Sequence, residues 1–136
     1  MRFGSEGRLQ TRRFRAQLEA RRAQGRRVAA YGAPSKAAVL LALAEVDQRL
    51  IAYTVDLSPA KTGHRIPGAG VPIRAVDDLL DDRPDDVVLL TWDIADEVAD
   101  QLARSSAGSG WDPTLIAPLP ELRQRRLGEQ EWKPLT

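Results

Sequence analysis

The residues best suited to chemistry follow the first apolar run, where Tyr31 is succeeded by the turn Gly32-Ala33-Pro34-Ser35-Lys36. A glycine here permits a sharp turn and a close approach of the backbone to a ligand. The helix predicted to follow presents backbone N–H groups and the positive end of its dipole, to which Ser35 adds a hydroxyl and Lys36 a cation. This combination suits a phosphate or a carboxylate. Neither the G-x-G-x-x-G nor the G-x-x-x-x-G-K-[ST] pattern is present, so a plain helix start with an exposed lysine is an equally good interpretation.

Three further polar or aromatic residues are predicted at the ends of the next two strands. Asp56 either accepts hydrogen bonds from ribose hydroxyls or caps the strand that it ends. Trp92 either stacks on a flat ligand or covers the rim of the core. Asp93 acts as a base or, more commonly, as the N-cap of the next helix. Parallel strands end at one edge of their sheet, so we expect these residues near the turn.

A loop rich in Pro and Gly, residues 57–73, is predicted at the same edge and contains Lys61, His64 and Arg65. His64 is the only histidine of the chain, and histidine is the side chain most often used as an acid or base near neutral pH. A histidine in such a loop is more often solvent-exposed than catalytic, so both interpretations stay open.

Composition excludes several classes of protein. The chain has 136 residues, a net charge of +1, no cysteine and one histidine. The lack of cysteine excludes disulfides and thiolate catalysis, and the usual zinc sites need several His or Cys ligands. No segment approaches the ~20 apolar residues of a membrane helix, and the N-terminus has no apolar signal-peptide core. We therefore predict a cytoplasmic protein without metal or cofactor that binds neither nucleic acid nor a membrane.

Apolar runs alternate with helical patterns along the chain, which is typical of an α/β fold. Helices are predicted over residues 5–24, 35–46, 75–84 and 93–110, and strands over 26–31, 49–56, 86–92 and 114–120. We expect one mostly parallel sheet of about four to five strands with helices on both faces. The helix within residues 1–25 is basic, and its arginines form either a solvated face or a docking surface. The polar residues 124–136 are interpreted as a tail or a final helical turn.

Four segments together resemble the C-terminal domain of S-adenosylmethionine-dependent sugar C-methyltransferases, which act on nucleotide-linked deoxysugars in bacterial natural-product pathways. They are VAAYGAPSKAAVLLAL, LIAYTVDLSPAKTGHRIPGAGVPI, DRPDDVVLLTWDIADEV and IAPLPEL. The resemblance covers residues 10–123 and implies a Rossmann-like domain over residues 26–123 that helps to bind the sugar nucleotide. It implies binding positions at Gly32, Lys36, Asp56, Lys61 and Trp92. The methyl-donor site and the catalytic residues of that family belong to domains upstream, so no catalytic residue carries over.

Two main functional hypotheses follow. In the first, the chain is a free-standing module that binds an anionic, phosphorylated or nucleotide-linked ligand, and a separate methyltransferase protein or a second copy of the chain is its partner. The ligand-binding residues would be Tyr31, Gly32, Ala33, Ser35, Lys36, Asp56, Ser58, Lys61 and Trp92. In the second, the domain is itself a cofactor-independent isomerase, lyase, cyclase or hydrolase with His64, Lys36 and Asp93 as catalytic groups. In a third hypothesis, the chain is a structural or regulatory partner of another protein and binds no ligand.

Overall fold

The structure, a computed structural model, describes residues 5–135 and contains four α-helices and seven strands within that range. The helices are α1 (Ser5–Ala23), α2 (Ser35–Ala44), α3 (Val76–Asp82) and α4 (Ala95–Ser105). The strands are β1 (Val28–Tyr31), β2 (Thr54–Val55), β3 (Ile73–Arg74), β4 (Asp86–Leu89), β5 (Thr114–Ala117), β6 (Arg123–Arg126) and β7 (Lys133–Pro134). A short 3-10 turn (Trp92–Ile94) connects β4 to α4.

All seven strands belong to one sheet with the order β3-β2-β1-β4-β5-β6-β7. Strands β1 to β5 pair in parallel, whereas β6 and β7 are antiparallel additions beyond β5. The mixed α/β architecture is therefore confirmed. The chain begins in the middle of the sheet at β1, moves outward through β2 and β3, and then returns to the other side of β1 at β4. The order of the strands thus reverses between β1 and β4.

Each face of the sheet is covered by two helices, because alternate residues of the buried strands point to opposite sides. Val28 and Ala30 of β1 pack in the same apolar cluster as α1 and α2. Ala29 and Tyr31 pack in the cluster that contains α3 and α4. The helices contribute fully buried side chains to these clusters: Phe14, Leu18, Leu40 and Leu41 on the first face, and Leu79 and Leu102 on the second.

The predicted sheet of about four to five strands was too small. Strand β3 lies at the end of the loop predicted over residues 57–73, and it has only two residues, too few to show a period. Strands β6 and β7 lie in the segment interpreted as a tail or helical turn. Strand β6 has the sequence Arg-Gln-Arg-Arg and carries no apolar alternation. A polar strand at the side of a sheet gives no hydrophobic signal, and only its pairing with β5 reveals it.

The basic N-terminal segment is attached to the sheet by its own arginines. Arg21 Nη1 lies 3.1 Å and Arg26 Nη2 2.8 Å from Oδ1 of Asp86, whose side chain is fully buried at the start of β4. The hydrogen bond from Arg26 to this carboxylate raises the pKa of Arg26 above its ordinary value. Part of the arginine excess is therefore used inside the domain. Among the helices of residues 5–135, none combines the length and apolar character that a membrane span requires.

Candidate functional site

The turn between β1 and α2 lies at the carboxyl edge of the parallel strands, where Gly32 adopts φ +95°. This left-handed conformation strongly favours glycine. The backbone of Gly32 is held by the neighbouring strand β2. The Gly32 N–H donates to the Val55 carbonyl at 2.7 Å, and Thr54 Oγ1 donates to the Gly32 carbonyl at 2.7 Å. On the other side, a Cβ placed on Gly32 would lie 2.6 Å from Cγ2 of Thr91. The turn is therefore rigid and leaves no room for a side chain.

Helix α2 begins at Ser35, as the sequence predicts, and its N-cap position is Pro34 in extended conformation. No side chain caps this end, and its first turn contains no acidic residue. Ser35 is exposed and Lys36 is half-buried. An uncapped helix start has backbone N–H groups and a partial positive charge directed outward. The helix start on which the predicted anion site depends is therefore uncapped.

Asp56 connects the ends of β1 and β2 through its carboxylate. Oδ2 accepts a hydrogen bond from the Ala33 N–H and Oδ1 one from the Ser58 N–H, each at 2.9 Å. These contacts correspond to the second of the two roles considered for Asp56, that of capping the strand that it ends. Each carboxylate oxygen keeps a further lone pair, so the contacts do not block a ligand hydroxyl.

Lys36, Trp92 and Asp93 form one contact group at the reversal point of the sheet. Lys36 Nζ lies 2.8 Å from Asp93 Oδ2 and 4.6 Å from the centre of the Trp92 ring. The hydrogen bond from Lys36 lowers the pKa of Asp93. Asp93 is not the N-cap that it was expected to be, because it lies within the 3-10 turn and Ile94 precedes α4. Its carboxylate reaches the lysine instead.

Lys61 reaches the same turn from the loop that follows β2. Its Nζ donates to the Ala33 carbonyl at 3.0 Å, and no carboxylate among the side chains of residues 7–135 pairs with it. His64 is exposed, and its contacts are made by its backbone, which bonds to Lys61 and Ile73. The structure therefore brings Lys36 and Asp93 together but shows no contact between either of them and the His64 side chain.

Sequence reasoning missed two threonines that shape the site. Thr54 fixes the Gly32 carbonyl, and Thr91 packs against the turn with a buried Oγ1 that has no hydrogen-bond partner. A hydroxyl residue at the end of an otherwise apolar strand is the signal that marks Thr91. No group of three or more histidine, aspartate and glutamate side chains within residues 5–135 is placed to hold a metal ion.

A comparison with known families gives the context of this geometry. Residues 2–120 match the family described as the C-methyltransferase C-terminal domain. The chain belongs to this family. A relative, the C-methyltransferase NovU of Streptomyces niveus, is 35% identical to this C-methyltransferase C-terminal domain over 101 residues. The resemblance inferred from the four sequence segments is thereby confirmed.

The matched segment covers 74% of this C-methyltransferase C-terminal domain but only 23% of the relative. Most of the relative therefore lies outside the region that the two proteins share. The turn, Asp56, Lys61 and the Trp92–Asp93 pair all lie within the family match at residues 2–120.

Both tyrosines of this C-methyltransferase C-terminal domain should resist ionisation. Burial, and then the charge of Asp56, raises the pKa of Tyr31; burial and the 2.7 Å hydrogen bond to Asp82 raise the pKa of Tyr53. We expect tyrosinate absorbance to show neither phenol ionising in the folded protein near pH 10, where an unfolded tyrosine is about half-ionised.

The folded state binds these phenolic protons more tightly than the unfolded state does. This difference sets the direction in which stability changes with pH. The contribution of the two tyrosines to the free energy of unfolding should be constant below about pH 10 and should fall as the pH rises from there towards the folded pKa values. Tyr53→Phe should remove part of that fall. A phenol that titrates near pH 10 before the protein unfolds would contradict the prediction.

Proposed function

We propose that this C-methyltransferase C-terminal domain binds a phosphorylated or nucleotide-linked small molecule at the β1–α2 turn. The observation that carries the proposal is the placement of two ammonium groups around an uncapped helix start. Lys61 Nζ is held on the Ala33 carbonyl, and Lys36 Nζ is held over Trp92. These are two of the three lysines in the chain. An anion at the turn would meet backbone N–H groups and both cations.

The position of the turn in the sheet supports the same proposal. We infer a Rossmann-like fold, because the order β3-β2-β1-β4-β5 follows the classic doubly wound order over these five strands. In such sheets, ligands bind outside the carboxyl ends of the strands where the strand order reverses. Here that point lies between β1 and β4, which end beside Gly32 and Thr91.

The ion pair between Lys36 and Asp93 is compatible with ligand binding. The side chains are 34% and 63% exposed, so the pair is largely hydrated. Exposed pairs contribute at most about 1 kcal/mol. A ligand phosphate can therefore replace Asp93 on Lys36, or share the lysine with it, at small cost.

The proposal makes this domain the part that holds the substrate, with the methyl donor bound outside it. It is supported by the relative named a C-methyltransferase, of which the shared region is less than a quarter. A role in bacterial natural-product biosynthesis belongs to the same proposal.

Calorimetric titration with uridine, thymidine and guanosine diphospho-sugars tests the proposal. Lys36→Met and Lys61→Met keep the aliphatic stems and remove the charges, and each should weaken binding about tenfold because a charge-assisted contact is lost. Lys133→Met, on the exposed strand β7, is the matched control and should bind as the unmodified protein does. Failure to bind any of the three classes of nucleotide sugar, or equal losses in all three variants, would refute the proposal.

A further inference from the structure

Strand β6 directs two arginines towards the face of the sheet that carries α4. Arg123 and Arg125 pair with Ala117 and Leu115 of β5, which belong to the apolar cluster of that face. Both guanidinium groups stack on one indole: their central carbons lie 4.6 and 5.7 Å from the centre of the Trp132 ring. The indole N–H donates to Asp96 Oδ1 at 2.7 Å.

The charges of these two arginines are not balanced within the part of the chain that the structure describes. Arg125 is 4% exposed, and its hydrogen bonds go to the carbonyls of Arg126 and Leu127, both at 3.4 Å. Arg123 Nε is buried without a partner. No carboxylate among the side chains described, residues 7–135, forms an ion pair with either guanidinium.

Other arginines of the fold have the carboxylate partners that Arg123 and Arg125 lack. Arg21 and Arg26 pair with buried Asp86, and Arg126, on the opposite face of β6, lies 2.9 Å from Asp112. A buried charge is costly unless a counter-charge and hydrogen bonds replace water. Stacking on an indole replaces only part of the lost hydration. An anion bound between these two neighbouring positive charges would therefore supply the missing counter-charge.

The cluster lies at the ligand edge of the sheet, but on different strands from the β1–α2 turn. Arg123 pairs with Ala117, the last residue of β5. Asp96, which holds the Trp132 indole, lies in the first turn of α4 just after β4. A ligand could therefore reach this cluster from the same open edge.

We propose that Arg123, Arg125 and Trp132 form an anion site for a phosphate group, either free or as an ester within a larger molecule. The planar guanidinium of Arg123 offers parallel N–H groups that match two phosphate oxygens. Buried Arg125 supplies a fixed charge behind it, and the indole keeps both groups in place. The site does not depend on the proposed function of the β1–α2 turn.

The three tryptophans allow both sites to be followed in one nitrogen–proton NMR spectrum of the full chain. The Trp132 indole N–H reports on the arginine pair, and Trp92, beneath Lys36, reports on the turn. Trp111, whose N–H donates to the Pro84 carbonyl, is the internal reference. The Trp132 signal is identified by its absence in Trp132→Phe. The probe is inorganic phosphate, added at constant ionic strength with chloride as the reference anion.

We expect phosphate to shift the Trp132 signal in a saturable way. Arg123→Gln should weaken this binding about tenfold, since it removes a charged bidentate contact. Arg126→Gln removes the same charge three residues further along β6, on the other face, and should have no effect. Lys36→Met should also leave the Trp132 response intact. If Arg123→Gln does not fold, Arg123→Lys keeps the charge, loses the fork and should bind phosphate more weakly.

The proposal is overturned if phosphate leaves the Trp132 signal in place, or if Arg123→Gln and Arg126→Gln respond equally. A parallel titration with uridine diphosphate separates the two sources of the phosphate group. Tighter binding of the nucleotide at Trp132 assigns the site to a phosphate ester, whereas tighter binding of inorganic phosphate assigns it to the free anion. A Trp132 response that persists while the Trp92 signal stays in place would show that the arginine site binds phosphate independently of the turn.

Discussion

Replacement of Gly32 by alanine is expected to lower the free energy of unfolding by about 3 kcal/mol, through two effects that add at one atom. The backbone at φ +95° is unfavourable for any residue with a Cβ. The new Cβ would also lie 2.6 Å from Cγ2 of Thr91, which follows the central strand β4. Relief of that overlap requires the Thr91 side chain to rotate or β1 and β4 to separate at the proposed binding edge.

Gly63 provides a matched control for the Gly32 prediction. It has φ +90°, and a Cβ placed there has no heavy atom within 4 Å. Gly63→Ala should therefore cost only the backbone term, about 1 kcal/mol. Thr91→Ser removes the clashing methyl group and should recover part of the loss in the double variant. Urea denaturation of the unmodified protein and of these variants measures the free energies of unfolding. Equal losses of stability for Gly32→Ala and Gly63→Ala would show that the overlap does not matter.

Asp86→Ala should lower the free energy of unfolding by a similar amount, about 3 kcal/mol. The carboxylate is fully buried and is bound by Arg21 Nη1 at 3.1 Å, Arg26 Nε at 2.9 Å and Arg26 Nη2 at 2.8 Å. The Arg21 side chain is only 11% exposed, so its charge would lose its partner without regaining water. The end of α1 and the start of β4 should loosen together.

The pair Arg15–Glu19 on the surface of α1 is the control for Asp86. Its two side chains are 34% and 53% exposed, and Glu19→Ala should cost no more than about 0.5 kcal/mol. A double-mutant cycle between Asp86→Ala and Arg21→Ala isolates the buried interaction, because the double variant should lose less than the sum of the single variants. Additive losses would contradict the assigned contact.

Local sequence was sufficient for the turn itself. Gly32 was singled out because the chain must bend sharply between an apolar strand and a helix, and the structure has it at positive φ. Helix α2 starts at Ser35 as predicted, since alanine and leucine have high helix propensities. The turn and the helix start depend on residues that are close together in the chain. The pattern of apolar residues and the glycine therefore reveal them.

The partners of the site residues depend on which strands become neighbours. Lys36 and Asp93 are far apart in the chain and meet because β4 pairs with β1. The same pairing brings Thr91 against Gly32, and it moves Asp93 from the expected N-cap to the lysine. No local pattern encodes these distances.

The amino-acid sequence by itself determined the α/β class, the family and the position of the turn, because apolar spacing, glycine and family motifs are written in consecutive residues. Only the tertiary structure decided the polar contacts: Asp56 on two backbone amides, Asp93 on Lys36, and the strand β6 with two unbalanced arginines on Trp132. Charged side chains are long and lack a period, so the choice among many possible partners is made when the sheet assembles.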